Sequence, residues 1–235
     1  MTDKKRYRHL LPVLKVAMYL LATIGIMMVI RRLAALNGTL PGNNQPGFDA
    51  DEDFKKHALT TILHIVPGAL FMISGVLQFI PGIRRRHIQF HRWNGREFIV
   101  AAYIIDITAI VLSFIKQPIG GITEATASIF FAVFFLACIS KSLYHILRKQ
   151  VLLHREWMIR TFSIGLAIVT VRLITVFTFI FFKVPLADFL GTAFWMGFTL
   201  HAIIAEVWIN YTRESIDTNY KSILLPGNRK EIVHQ

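Results

Sequence analysis

Apolar residues in this chain fall into six blocks, each long enough to cross a lipid bilayer as a helix. A helix needs about 20 predominantly apolar residues to span the hydrocarbon core, where it satisfies its own backbone hydrogen bonds. The blocks lie at residues 11–30, 59–80, 98–115, 125–147, 161–182 and 189–209. We therefore predict an all-α integral membrane bundle of six transmembrane helices over residues 11–209. No separate soluble domain is expected, because only 17% of the residues are charged, against about 25% in soluble domains.

Basic residues are concentrated in alternate connections between these blocks. Residues 4–8 carry four Lys or Arg, 84–96 carry five, 141–160 carry five and the segment after 210 carries four, whereas 31–58 balances four basic with four acidic residues. This alternation follows the positive-inside rule, so the N-terminus (1–10) and the C-terminal tail (210–235) are both predicted to be cytoplasmic. The net charge of +12 then indicates contact with the bilayer and with anionic lipid headgroups at the cytoplasmic face, not with nucleic acid.

Two short motifs at the predicted cytoplasmic side share four residue types. "HRWNGR" (residues 91–96) precedes the third block, and "HREWMIR" (residues 154–160) precedes the fifth. Each has a histidine followed by an arginine, then a tryptophan, and an arginine three residues after the tryptophan. The two copies reflect either an internal duplication of parallel topology or the shared chemistry of a membrane interface. The sequence leaves both explanations open.

The arginines and tryptophans of these motifs also have two interpretations. Tryptophan at the headgroup level with arginine beside it is ordinary for a membrane protein. The functional alternative is an anion or headgroup site formed by Arg92, Trp93, Arg96, Trp157 and Arg160. A bare divalent metal is disfavoured, because the adjacent run of arginines at 84–86 would repel a dication and attract phosphate or haem propionates. No metal site is predicted.

Four histidines are candidate cofactor ligands. A membrane haem b would take two histidines from different helices at matching depth, and His91 and His154 both lie at the predicted inner edge. His64 and His201 form the other candidate pair, although a rise of about 1.5 Å per residue separates their depths by roughly 8 Å. A hydrogen-bonded structural histidine is the alternative interpretation for each.

Ionisable residues near the middle of predicted spans form a third candidate site. Asp106, Arg172 and His201 lie at nearly one depth in the third, fifth and sixth spans. Charged residues inside a membrane face the bundle interior or a cavity, where they need a partner. We expect an Asp106–Arg172 pair, which either locks two helices together or forms, with His201, a polar site for a substrate, a proton or an anionic ligand.

The chain resembles the bacterial multi-pass membrane proteins of the family called domain of unknown function 2306. The resemblance rests on "HIVPGALFMISGVLQFIPGIRRRHIQFHRWNGR" and "HREWMIRTFSIGLAIVTVRL", and it runs from about His57 to the sixth span. It implies a multi-pass membrane fold and a membrane location, but no particular activity. The sequence contains no nucleophile elbow, phosphate loop, dinucleotide fingerprint or metalloprotease motif, so whether the protein is an enzyme stays open.

These observations predict a multi-pass protein of a bacterial cytoplasmic membrane with three alternative functions. The first is a haem- or redox-associated protein with histidine ligands at the inner edge. The second is a small-solute or proton-coupled transporter that uses the mid-membrane Asp/Arg/His cluster. The third is a non-catalytic factor that binds anionic lipid through its basic inner edge.

Overall fold

The computed structural model describes residues 10–39, 55–115 and 118–224, with side chains described from 11 to 213. Its helices are α1 (Leu10–Leu36), α2 (Ala58–Gln78), α3 (Pro81–Arg86), α4 (Ile88–Ile115), α5 (Gly121–Leu147), α6 (Val151–Phe182) and α7 (Leu186–Leu224). The described ranges contain no strand. Every one of these helices except the short α3 is long and apolar enough to cross a membrane. The predicted all-α bundle of six transmembrane helices is therefore confirmed.

The helices extend beyond the apolar blocks from which they were predicted. Helix α4 begins at Ile88 and α6 at Val151, each ten residues before the predicted span, and α7 continues past residue 209 to Leu224. Arginine and glutamate are good helix formers, so a helix continues where hydropathy falls. Both motifs consequently lie in the first turns of helices and not in loops. The cytoplasmic location of the termini stays a prediction, and residues 1–9 and 225–235 lie outside the described ranges.

Helix α6 contacts four of the other membrane-spanning helices. It packs against α1, α2, α5 and α7, while α2 packs along α4, and α4 along α5. The helices that are joined by short connections pack together, α4 with α5 and α6 with α7. The end of the bundle at which α4 and α6 begin carries both motifs, and we call it the motif end; the opposite one is the far end.

Aromatic rings and glycines interlock at the centre of the bundle. Phe71 of α2 lies against Gly165 of α6, while Phe162 of α6 lies against Gly75 of α2. The two rings have centroids 5.6 Å apart, and Phe98 of α4 stacks on Phe71 at 4.5 Å. Transmembrane helices approach closely where one of them carries small residues. The reciprocal pairs therefore fix the position of α6 against α2.

Candidate functional site

The two motif histidines occupy equivalent positions in their helices. His91 lies three residues after α4 begins, and His154 lies three residues after α6 begins. The two imidazoles are close enough to interact electrostatically. The two residues are 63 positions apart in the sequence, and their assignment as a ligand pair stays a prediction.

Ser142 of α5 fixes the orientation of the His154 ring. The Nδ1 atom of His154 lies 3.0 Å from the Ser142 carbonyl oxygen and 2.9 Å from the Ser142 hydroxyl. A carbonyl oxygen only accepts hydrogen bonds, so Nδ1 carries the proton and donates it. The other nitrogen, Nε2, then has a lone pair directed away from Ser142. Histidines that ligate metals are commonly held in this way, by a backbone carbonyl at the opposite nitrogen.

The backbone around His91 is tied to α2. Gln78 donates a 2.9 Å hydrogen bond from Nε2 to the His91 carbonyl, and Asn94 donates one of 2.9 Å to the carbonyl of Ser74. Gly95 lies beside Gln78, and a Cβ there would make ordinary van der Waals contact with the Gln78 amide nitrogen at 3.4 Å. The Nδ1 atom of His91 is buried and has no hydrogen-bond partner among the described residues. Helix α4 is therefore anchored to α2, while the Nδ1 atom of His91 forms no hydrogen bond within the described residues.

Positive charge surrounds this histidine pair. Arg84 of α3 interacts electrostatically with His91 and with Arg155 of α6. Glu156, which follows Arg155, accepts two hydrogen bonds from Arg213 of α7, at 2.9 Å and 2.6 Å. Glu156, the carboxylate closest to His154 in the sequence, is thus already paired with Arg213. The chemistry at the motif end favours an anionic group near the two histidines.

The arginine of each motif stacks on the tryptophan three residues before it. The Arg96 guanidinium carbon lies 4.8 Å from the Trp93 ring centroid, and that of Arg160 lies 4.5 Å from the Trp157 centroid. The second motif differs because Arg160 also donates to both carboxylate oxygens of Glu206 in α7, at 2.6 Å and 3.0 Å. The two motifs therefore share the stacking of arginine on tryptophan, but only the second motif has its stacked arginine paired with a carboxylate among the described residues.

One known protein family matches most of this sequence. The family described as "Predicted membrane protein (DUF2306)" matches residues 61–209, which include both motifs and more than half of the chain. The chain belongs to this family. No curated protein and no solved structure matches it.

The other two candidate histidines of this DUF2306 protein lie apart from each other. His64 directs Nδ1 to the Ile105 carbonyl and the Thr108 hydroxyl, both at 3.0 Å, and so joins α2 to α4. His201 lies between α7 and α6, with Nε2 2.8 Å from the Thr170 hydroxyl and Nδ1 3.4 Å from that of Ser163. Both nitrogens of His201 therefore have a partner, which is the structural arrangement that the sequence left as an alternative.

The three mid-membrane residues of the DUF2306 protein do not form the expected cluster. No hydrogen bond or ion pair joins any two of Asp106, Arg172 and His201 within the described part of the chain. Arg172 interacts electrostatically with Glu124 at the far end and with Arg32 of α1. Asp106 is buried, and its Oδ2 atom has no partner among the described residues. The Asp106–Arg172 pair is therefore not formed, because equal depth does not make two side chains face each other.

Several residues that build the site were missed by sequence reasoning. Ser142, which orients His154, and Glu206, which neutralises Arg160, lie on other helices, 12 and 46 residues away from their partners. Asn94 lies inside the first motif, but from the sequence a role was predicted only for its charged and aromatic neighbours. A small polar residue in an otherwise apolar helix, such as Ser142, is the signal that would have indicated a buried hydrogen bond.

Proposed function

We propose that this protein is a haem-associated redox protein, in which His91 and His154 would hold the haem iron. The observation that carries this proposal is that the imidazoles of His91 on α4 and His154 on α6 lie within electrostatic range of each other. His154 is held at Nδ1 with its Nε2 available, and His91 has a buried nitrogen without a hydrogen-bond partner in the described residues. Two histidines from separate helices are a donor set that b-type haem accepts.

The same donor set fits a bare metal ion less well. A structural or catalytic zinc site takes three or four protein ligands, and the described residues contain no group of three histidine, cysteine or carboxylate side chains able to hold a metal ion. A haem needs only two protein ligands, since the macrocycle supplies the other four. The haem propionates would also form ion pairs with Arg84 and Arg155, whose charges lie near the histidines.

Each of these residues has a separate task in the proposed site. Ser142 keeps the proton of His154 on Nδ1 and thereby aims Nε2 into the site, while Gln78 holds the His91 backbone against α2. Arg84 and Arg155 would orient the anionic edge of the ligand. A bound haem would supply one-electron transfer. We place the protein in a bacterial cytoplasmic membrane with the motif end facing the cytoplasm, in keeping with its basic residues.

An absorbance spectrum of the detergent-purified protein tests this proposal. Protein from haem-replete cells is expected to show a Soret band, and His154→Ala and His91→Ala variants are expected to lose it. His87→Ala is the matched control, because His87 lies at the same end of the bundle, between α3 and α4, and its side chain is exposed. A colourless wild-type protein, or a band that survives both ligand substitutions, would overturn the assignment.

Ser142→Ala provides a finer test with a spectroscopic readout. It removes the hydroxyl but leaves the carbonyl that accepts the His154 proton, so the Soret band should persist. Outer-shell hydrogen bonds tune the properties of a bound metal, and the reduction potential of the Ser142→Ala protein should therefore shift. An unchanged reduction potential would mean that the hydroxyl of Ser142 does not help to orient the His154 ring.

A further inference from the structure

We propose that the outer surface of the first motif binds the phosphate of an anionic phospholipid, whereas the second motif does not. This surface is formed by Arg92, Trp93 and Arg96 in the first turns of α4, and we call it the first-motif surface. The proposal concerns lipid and not haem, so it stands or falls independently of the proposed redox function.

The exposure of the first-motif surface is the first observation. Trp93 is 69% exposed, and its apolar neighbours Phe90 and Ile88 are 49% and 46% exposed. Arg92 and Arg96 are exposed beside them. Arginine among exposed aromatic and aliphatic side chains suits the boundary between headgroups and acyl chains, where apolar atoms contact the chains and the guanidinium meets phosphate. A site for a free aqueous anion would have no need of these apolar residues.

The charge of the first-motif surface is the second observation. Arg96 stacks on Trp93, and no ion pair with a carboxylate occupies Arg92 or Arg96 within the described residues. The adjacent acidic residue, Glu97, buries its Oε1 atom and forms no ion pair with Arg92 or Arg96 among the described residues. A guanidinium held flat by an aromatic ring keeps its N–H groups available in the fork geometry that matches phosphate. The first motif therefore has a positioned arginine with no carboxylate partner among the described side chains.

The second motif provides an internal comparison. Its arginine stacks on its tryptophan in the same way, but both carboxylate oxygens of Glu206 already accept hydrogen bonds from Arg160. The side chain of Arg160 is only 15% exposed. A phosphate would have to displace Glu206 to reach it. The two motifs thus match in sequence pattern but differ in their capacity for an anion.

Native mass spectrometry of the full chain with added phosphatidylglycerol tests this inference, with phosphatidylcholine as the neutral comparison. Wild-type protein is expected to prefer phosphatidylglycerol, and Arg96→Gln should weaken that binding about fivefold, the effect of one basic residue at a membrane surface. Arg160→Gln removes the same charge from the same motif position and should leave binding within about twofold. If Arg160→Gln does not fold, the net-neutral Arg160→Gln/Glu206→Gln variant replaces it, and Arg92→Gln serves as a second probe of the first motif.

Three results would overturn the inference. Equal losses for Arg96→Gln and Arg160→Gln would mean that overall charge, and not the first-motif surface, attracts the lipid. An equal preference for both lipids would remove the anion selectivity. Displacement of phosphatidylglycerol by soluble glycerol 3-phosphate would assign the surface to a free aqueous anion.

Discussion

Replacing Gly75 by alanine should destabilise the bundle through a single added methyl group. A Cβ at this position would overlap one ring atom of Phe162 and lie 2.5 Å and 2.8 Å from two others. Phe162 is only 2% exposed, and its ring packs on Phe71 and Phe79, so it has little room to move. Overpacking of this kind costs about 1–3 kcal/mol, while alanine returns about 1 kcal/mol of helix propensity. We expect a net loss of up to about 2 kcal/mol.

Thermal unfolding in detergent, followed by size-exclusion chromatography of heated samples, measures this loss. A chain of this length shifts its Tm by about 2–4 °C per kcal/mol, so Gly75→Ala should lower the Tm by several degrees. Gly68→Ala is the matched control in the same helix, because its Cβ would meet only Ile105 at 4.0 Å. It should leave the Tm unchanged or raise it. Equal Tm values for the two variants would refute the packing argument.

Three other substitutions test the contacts of α6 and α7 and the buried carboxyl of α4. Exchanging the charges in Arg160→Glu/Glu206→Arg should recover most of the stability that Arg160→Gln loses, about 1–3 kcal/mol, in the same thermal assay; no recovery would mean that the pair contributes nothing as a pair. His201→Leu leaves the hydroxyl of Thr170 without its side-chain partner, although Ser163 keeps its hydrogen bond to the residue-201 carbonyl. The substitution should cost about 1–3 kcal/mol, whereas a neutral effect would count against a structural histidine. Asp106→Leu should stabilise the protein, since it removes a buried carboxyl oxygen that has no partner in the described residues. A lower Tm would mean that the Asp106 carboxyl does have a stabilising partner.

Hydropathy predicted the six membrane helices well, because the thickness of a bilayer sets the length of each apolar block. It missed the first ten residues of α4 and of α6, since charged side chains continue a helix after it leaves the hydrocarbon. The same two extensions carry the candidate ligands. Their helical character therefore had to come from the structure.

Depth along a helix proved easier to predict than direction around it. Equal depth associated His91 with His154, whose imidazoles lie within electrostatic range of each other, but it also suggested an Asp106–Arg172 pair that the fold does not form. Counting residues gives the level of a side chain at about 1.5 Å per position, whereas the face it presents depends on how each helix is rotated against its neighbours. The partner of Arg160 was missed for the same reason, because Glu206 lies on α7 in a register set by packing.

The extension of α4 and α6 has a consequence for where chemistry at the motif end can act. His91 and His154 each lie seven residues before the apolar block of their helix, which is about 10 Å along the axis. A ligand between them would sit at the level of the lipid headgroups, within reach of the aqueous phase on one side. Electrons and protons would then enter and leave from that same side. Such a reaction would move no net charge across the bilayer, and its partner would be a molecule at that face.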